Sequence, residues 1–301
     1  MKYIDIFDIT DERLSVYKDM KESQLRHYYE PDGGVFIAES LKVIERAFDF
    51  GCRPESVLVE KEKLDNPEYK RVLELLSASN INAEEEYESD GNVSLPIYVA
   101  DRDKLSGITG YNLTGGILSV MRRPTLPDVG DIIKGLKKIA ILDTVVNPTN
   151  IGAIFRSAAA FNVEAILLTK GCCDPLSRRA IRVSMGNVFQ IPWTYLEPAD
   201  EEYNDERQRQ AGLVKDNFEL LHEYGFKTAA MALKSDSIRL DDERLKKEDK
   251  LAIIMGNEGD GLSDAAIAMS DYKVIIPMAH DVDSLNVAGA SAVAFWELAR
   301  K

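Results

Sequence analysis

Three stretches in the second half of the chain hold the residues whose types and spacing suit chemistry. Asn150 and Arg156 lie in Asn147-Pro148-Thr149-Asn150-Ile151-Gly152-Ala153-Ile154-Phe155-Arg156. Gly152 permits a tight strand–helix turn. An arginine about two turns into the helix can reach back over the helix amino terminus, where anions bind well. Its planar fork suits a phosphate or a developing oxyanion; the plainer alternative is an arginine paired with a nearby acid. Glu258 stands in Met255-Gly256-Asn257-Glu258-Gly259-Asp260-Gly261-Leu262-Ser263, directly after an apolar run. Packing explains a glutamate in such a loop poorly, although an acid at that point also suits the helix that starts near Ser263. The dinucleotide-binding GxGxxG pattern is absent, and this loop follows a late strand rather than the first. The third stretch runs from Ile276-Pro277-Met278 to Ser284-Leu285-Asn286-Val287-Ala288. Ser284 or Asn286 suits a helix cap. The small residues from Ala288 to Ala294 allow close backbone approach, and close packing alone would explain them.

Each stretch begins as an apolar, strand-like run and ends before an apolar helical pattern. That arrangement belongs to loops at the carboxyl edge of an α/β sheet, where ligands usually sit. The elements that must position them alternate along the chain. Residues 10–30 read as a helix capped at Thr10, with Leu14, Tyr17 and Leu25 apolar among charges. Strands follow at Val35–Ala38, Val57–Val59, Ile97–Ala100 and Gly116–Met121, with helices between them, which describes a small α/β domain. Arg122-Arg123-Pro124-Thr125-Leu126-Pro127 closes it. The expected division is 1–125 for the amino-terminal domain, 126–137 for a linker and 138–301 for the second domain. Strands in the latter are expected at Ile139–Leu142, Ala165–Leu168, Phe189–Trp193, Lys227–Ala232, Leu251–Met255 and Val274–Ile276. A closing helix is expected over Val287–Leu298, and residues 197–210 read as a solvated acidic insertion.

The chain has 301 residues, 45% hydrophobic and 29% charged, which fits a globular protein with room for two cores. The amino terminus lacks the uninterrupted apolar core of a signal peptide, and no run approaches the roughly 20 apolar residues of a membrane span. The cytoplasm is the expected compartment. Three cysteines, Cys52, Cys172 and Cys173, with no CxxC spacing, point to reduced structural thiols and no zinc site. The formal charge of −14 argues against a generic nucleic-acid binder. Any RNA contact must be a local basic patch. Arg178, Arg179 and Arg182 form the densest basic cluster of the second domain, with a solvated helix face as the alternative.

Taken in order, Asn150 to Arg156, Gly256 to Ser263 and Ile276 to Ala288 resemble the three motifs of the SpoU/TrmH family of RNA ribose methyltransferases, within the SPOUT superfamily. The similarity extends to Cys173-Asp174-Pro175 and Arg182-Val183-Ser184-Met185-Gly186, and covers about residues 138–301. More weakly, Gly34 to Val120 resembles the ribosomal-protein-like substrate-binding domain often attached to these enzymes. The resemblance implies an α/β fold with a parallel sheet and a trefoil-knotted carboxyl end. It also implies methyl transfer from S-adenosyl-L-methionine to a ribose 2′-hydroxyl without a metal, and a homodimer with the site at the subunit interface. Ribosomal RNA is the expected acceptor, with transfer RNA as the alternative. A noncatalytic RNA-binding scaffold and a methyltransferase for proteins or small molecules are readings of other classes. By the same matching, Arg156, Asn150, Glu258, Ser284 and Asn286 form the catalytic, acceptor side. Gly256, Asn257, Gly261, Ile276, Met278 and Leu285 hold the cofactor. His280, in the third motif, reads as a loop residue without a role.

Overall fold

The computed structural model describes residues 2–30, 33–81, 94–109, 113, 115–196, 213, 215–257, 259–280 and 284–300. The chain divides into two compact units: Met1–Thr125 with Leu176–Arg182, and Leu126–Pro175 with Val183–Lys301.

The first unit is built on five strands: β1 (Lys2–Asp5), β2 (Val35–Glu39), β3 (Pro54–Glu60), β4 (Pro96–Ala100) and β5 (Ile117–Arg122). Their order is β1-β4-β3-β5-β2. The β1/β4 and β4/β3 pairs are parallel, whereas β5 runs antiparallel to both β3 and β2. Near-continuous burial of β3, β4 and β5 follows from their aliphatic runs, which pack on both faces. Strand β1 gives little warning in the sequence, because only Ile4 is even partly buried. The single helix expected over residues 10–30 is instead a 3-10 turn at Glu12–Leu14 followed by short helices Ser15–Lys18 and Glu22–Arg26. Asp11 rather than Thr10 provides the cap, accepting the Arg13 N–H at 3.0 Å. A continuous helix would turn Lys21 onto the same stripe as Leu14, Tyr17 and Leu25. The chain avoids this by extending at Lys21, and those three apolar residues still reach the core.

The second unit holds seven strands: β6 (Lys138–Leu142), β7 (Ala165–Leu168), β8 (Trp193–Tyr195), β9 (Lys227–Met231), β10 (Ile238–Arg239), β11 (Leu251–Met255) and β12 (Tyr272–Ile275). Their order is β10-β12-β9-β11-β6-β7-β8, and every pairing is parallel. The central β11 is buried at all five positions, as its sequence Leu-Ala-Ile-Ile-Met requires. Two expectations change. The strand expected from Phe189 begins only at Trp193, after a 3-10 turn at Asn187–Phe189, because Pro192 has no N–H for the ladder. Residues 126–137, expected as a linker, contain a helix at Val129–Ile133 whose Val129 and Ile133 join this unit's core. The acidic stretch 197–210 lies outside the described residues. No helix among the described residues is long and apolar enough to cross a membrane.

Candidate functional site

Strands β9, β11 and β12 are neighbours and parallel, so the loops leaving their carboxyl ends emerge side by side. These loops and the start of the Val287–Leu298 helix enclose a cavity of about 360 Å³. Gly256, Asn257 and Gly261 line it from the β11 loop. Ile276 and Met278 line it from the β12 loop, with Ser284 and Leu285 ahead of the helix. The loop after β9, Met231–Lys234, completes the wall. It carries no glycine or recognisable motif; its only sequence signal is that it ends a strand at the same sheet edge. Within it, Lys234 pairs with Asp264 at 2.8 Å.

The β11 loop folds on itself through local bonds. Asn257 and Gly261 exchange backbone hydrogen bonds of 3.2 and 3.1 Å. The Asn257 carboxamide oxygen accepts the Gly259 N–H at 2.6 Å, and its amide group donates to the Thr144 carbonyl at 2.9 Å. Gly256 has to be glycine: a Cβ there would lie 2.6 Å from the Gly261 carbonyl carbon and the Leu262 nitrogen. Gly261 adopts φ of +70°, in the left-handed region that favours glycine. Glu258 lies outside the described residues.

Beneath this loop runs a buried polar chain that the sequence does not announce. The Thr144 N–H donates to the Thr169 hydroxyl oxygen at 2.9 Å, and that hydroxyl donates to the Asp143 carboxylate at 3.2 Å. Asp143 is 3% exposed, and burial raises its pKa, partly offset by the bonds from Thr169 and the Leu213 N–H. The chain ties the ends of β6 and β7 to the Asn257 turn. Burial likewise pushes the Cys52 thiol up to about 12 and the Cys172 thiol to about 11, which keeps them protonated and inert. No cluster of three or more His, Cys, Asp or Glu side chains suited to a metal occurs among the described residues.

The first and third motifs meet directly. Asn147 caps the Pro148–Ala160 helix, and Asn150, 7% exposed, accepts a hydrogen bond from Asn286 at 3.2 Å. Asn286, not Ser284, caps the Val287–Leu298 helix, accepting the Ala288 N–H at 3.0 Å. The two helices pack together. Arg156 does not join them. Six residues beyond Asn150, it sits about 9 Å further along the helix and roughly 120° around it. Its side chain is exposed, and it is not among the residues lining the cavity. His280 is exposed with φ of +59° and is likewise outside the cavity lining.

Arg178, Arg179 and Arg182 lie on the short Arg178–Val183 helix, in the segment that belongs to the first unit. There Arg178 is engaged by acids: its backbone N–H donates to Glu22 at 2.9 Å and its guanidinium pairs with Glu39. Arg179 and Arg182 are exposed.

Comparison with known proteins agrees with this arrangement. An uncharacterized tRNA/rRNA methyltransferase of Mycobacterium bovis is 32% identical over 98% of this chain and 91% of its own. The 23S rRNA (guanosine(2553)-2′-O)-methyltransferase of Bacillus subtilis is 25% identical over 70% of this chain and 75% of its own. Among solved structures, an AdoMet-bound rRNA methyltransferase from Sinorhizobium meliloti superposes with a TM-score of 0.74 at 21% identity, covering 98% of this chain and 97% of that one. The SpoU methyltransferase AviRb from Streptomyces viridochromogenes, in complex with AdoMet, gives 0.70 at 21% identity, over 95% and 96% of the two chains. The model of the SpoU rRNA Methylase family matches residues 137–296, and the chain belongs to that family.

Proposed function

We propose that this protein transfers a methyl group from S-adenosyl-L-methionine to a ribose 2′-hydroxyl of RNA, with ribosomal RNA as the acceptor. The observation that carries the reading is the cavity at the β9, β11 and β12 loop ends, which joins two of the three family motifs in one wall. At about 360 Å³ it falls in the range of small-molecule sites. The side-chain-free Gly256 lets the Gly261–Leu262 backbone close against it in the cavity wall. These features fit S-adenosylmethionine held by Gly256, Asn257, Gly261, Ile276, Met278 and Leu285, mostly through backbone. When bound, it supplies a methyl carbon already activated on a sulfonium, so the main task left to the protein is alignment of the acceptor oxygen.

Arg156, Asn150, Glu258, Ser284 and Asn286 form the acceptor side in this reading. Arg156 clamps the phosphate and the developing oxyanion. A guanidinium with pKa above ~12 is a poor base, so the hydroxyl proton leaves to a neighbouring phosphate or water. Arg156 is exposed and does not line the cavity of its own chain, and the reading places it in a homodimer in which it serves the partner's site. Support comes from the Val287–Leu298 helix, which is apolar on nearly every side yet leaves Val293 41% and Trp296 49% exposed. A helix apolar all round is ordinarily covered. The reading includes a carboxyl end threaded as a trefoil knot, consistent with β12 inserted between β9 and β10. It also makes the amino-terminal unit the RNA-recognition domain and the cytoplasm the compartment.

The test is methyl transfer from labelled S-adenosylmethionine to ribosomal RNA from cells lacking this protein. A 2′-O-methyl blocks alkaline cleavage at its own linkage, so one hydrolysis-resistant position is the expected result. Label appearing only in transfer RNA would move the substrate class. Label that survives nuclease treatment in protein, or none at all, would overturn the reading.

A further inference from the structure

We infer that the amino-terminal unit carries a single-strand RNA clamp built from Tyr28, Tyr29, Arg122 and Arg53, at the edge where β5 ends and β3 begins. The inference rests on the reading above that RNA is the substrate, and it says where an acidic protein grips it.

The backbone brings these residues together. The Arg122 N–H donates to the Arg53 carbonyl at 2.7 Å, and the Arg123 N–H donates to the Gly34 carbonyl at 2.9 Å. Gly34 in turn lies against the end of the Glu22–Arg26 helix, so close that a Cβ on it would fall 2.0 Å from the Arg26 carbonyl oxygen. The backbones of four arginines, Arg26, Arg53, Arg122 and Arg123, are thereby brought to one edge of a chain whose net charge is −14. Arg26, Arg53 and Arg122 are exposed there. Charge alone would describe a solvated edge; the aromatic rings add a recognition element. The Arg122 guanidinium lies 4.7 Å from the Tyr29 ring centroid, and Tyr28 meets Tyr29 edge-on at 4.8 Å. Glu55 fixes the stack from below, accepting the Tyr29 hydroxyl at 3.1 Å and pairing with the Arg122 guanidinium. Half of Arg122 remains accessible (49%), as does Tyr28 (40%).

This is the composition of a stacking platform beside phosphate-binding cations. A base offers a π-face to Tyr28 or to the guanidinium plane, while the exposed Arg53 adds positive charge for an adjoining phosphate. The Arg53 guanidinium donates to the Gly51 carbonyl at 3.2 Å and lies 5.7 Å from the Phe48 ring centroid. Duplex RNA keeps its bases stacked inside and offers such a platform nothing. The occupant is thus an unpaired RNA segment. Its sequence is unspecified, because stacking and phosphate contacts carry no base-edge code.

The experiment measures binding of the full-length protein to ribosomal RNA and to a 12-nucleotide oligouridine by filter retention across a salt series, with S-adenosylmethionine binding followed separately by calorimetry. Tyr28→Ala is expected to weaken oligouridine binding about tenfold with its salt slope unchanged. Arg53→Ala is expected to weaken it and lower the slope by about 0.7. Arg122→Lys keeps the charge and loses the plane, so affinity falls while the slope stays; it also guards against a fold defect from cutting the Glu55 pair. Tyr28→Phe should bind as wild type, and Lys70→Ala, elsewhere on the unit, should change nothing. Unchanged affinity in well-folded Tyr28→Ala and Arg122→Lys, or equal binding of a 12-base-pair duplex, overturns the clamp. Such a result alongside intact methyl transfer leaves the enzymatic reading standing. Loss of cofactor binding in the wild type, with RNA still held through these residues, does the reverse.

Discussion

The Gly256–Ser263 turn and the Asn150–Arg156 helix both follow buried parallel strands, yet one is closed by its own local bonds and the other ends in an exposed arginine. The turn closes on itself through Asn257, with Gly256 where a Cβ would collide and Gly261 where the backbone is left-handed. The helix meets the third motif through Asn150 and then carries Arg156 out to solvent on another face. Binding of a small molecule can be built from one chain's backbone. In the proposed reading, the exposed Arg156 is the group left to meet a polymeric acceptor outside that cavity.

The comparison breaks most visibly at Arg156. Arg156→Ala should lower methyl transfer by about 10²–10³-fold, the usual loss for one oxyanion donor, while calorimetry shows cofactor affinity unchanged. Arg156→Lys should retain part of that activity. If Arg156 serves the partner's site, mixing the impaired Arg156→Ala and Gly256→Ala chains, with exchange of subunits verified, should raise turnover above that of either variant alone; exchange without such a rise would overturn the shared site. Gly256→Ala addresses the other half. Forcing a methyl between Gly261 and Leu262 costs about 1–3 kcal/mol of overpacking, expected as a roughly ten- to hundredfold loss of S-adenosylmethionine affinity with the fold retained by circular dichroism.

Thr169→Val is subtler. It leaves the Thr144 N–H and Asp143 without their buried partner, at a cost of about 1–3 kcal/mol. A lower thermal midpoint with weaker cofactor binding would confirm that the chain under Asn257 holds the turn. The smallest effect lies at Asp271, just ahead of β12. Burial alone would raise its pKa. Hydrogen bonds from the Lys227 ammonium, the Thr228 N–H, His222 and the Thr228 hydroxyl outweigh that and hold the carboxyl well below the usual range. A depressed carboxylate stabilises the fold fully above its unfolded value near ~4 and loses that contribution as pH falls through the folded value. Asp271→Asn should therefore cost about 1 kcal/mol at pH 7, after solvent screening. Its denaturation curve should merge with that of the wild type in strong acid.

Much of this was legible from pattern. The run Leu251–Met255 could only be a strand buried on both faces, and Val287–Leu298 follows its apolar sequence residue for residue. The cavity-lining Gly256, Gly259 and Gly261 fall within six positions directly after an apolar run, which marks a loop at a strand end. What stayed hidden depended on distant partners. Strand β1 is an exposed edge without a burial signal. The Met231–Lys234 wall has ordinary loop composition and matters only because β9 lies next to β11 and β12. Asp143 and Thr169 are 26 residues apart, and no local pattern announces their bond. Arg178 read as a surface cation because its acids, Glu22 and Glu39, lie 156 and 139 positions earlier.

That last placement bears on how the protein is made. Residues Leu176–Arg182 complete a unit whose other members all precede Leu126. A nascent chain that has emerged only to Thr125 therefore holds Glu39, whose side chain is 12% exposed, without the Arg178 guanidinium that neutralises it. That unit therefore gains its last helix and the Arg178 contacts to Glu22 and Glu39 only from residues that follow β7 in the chain.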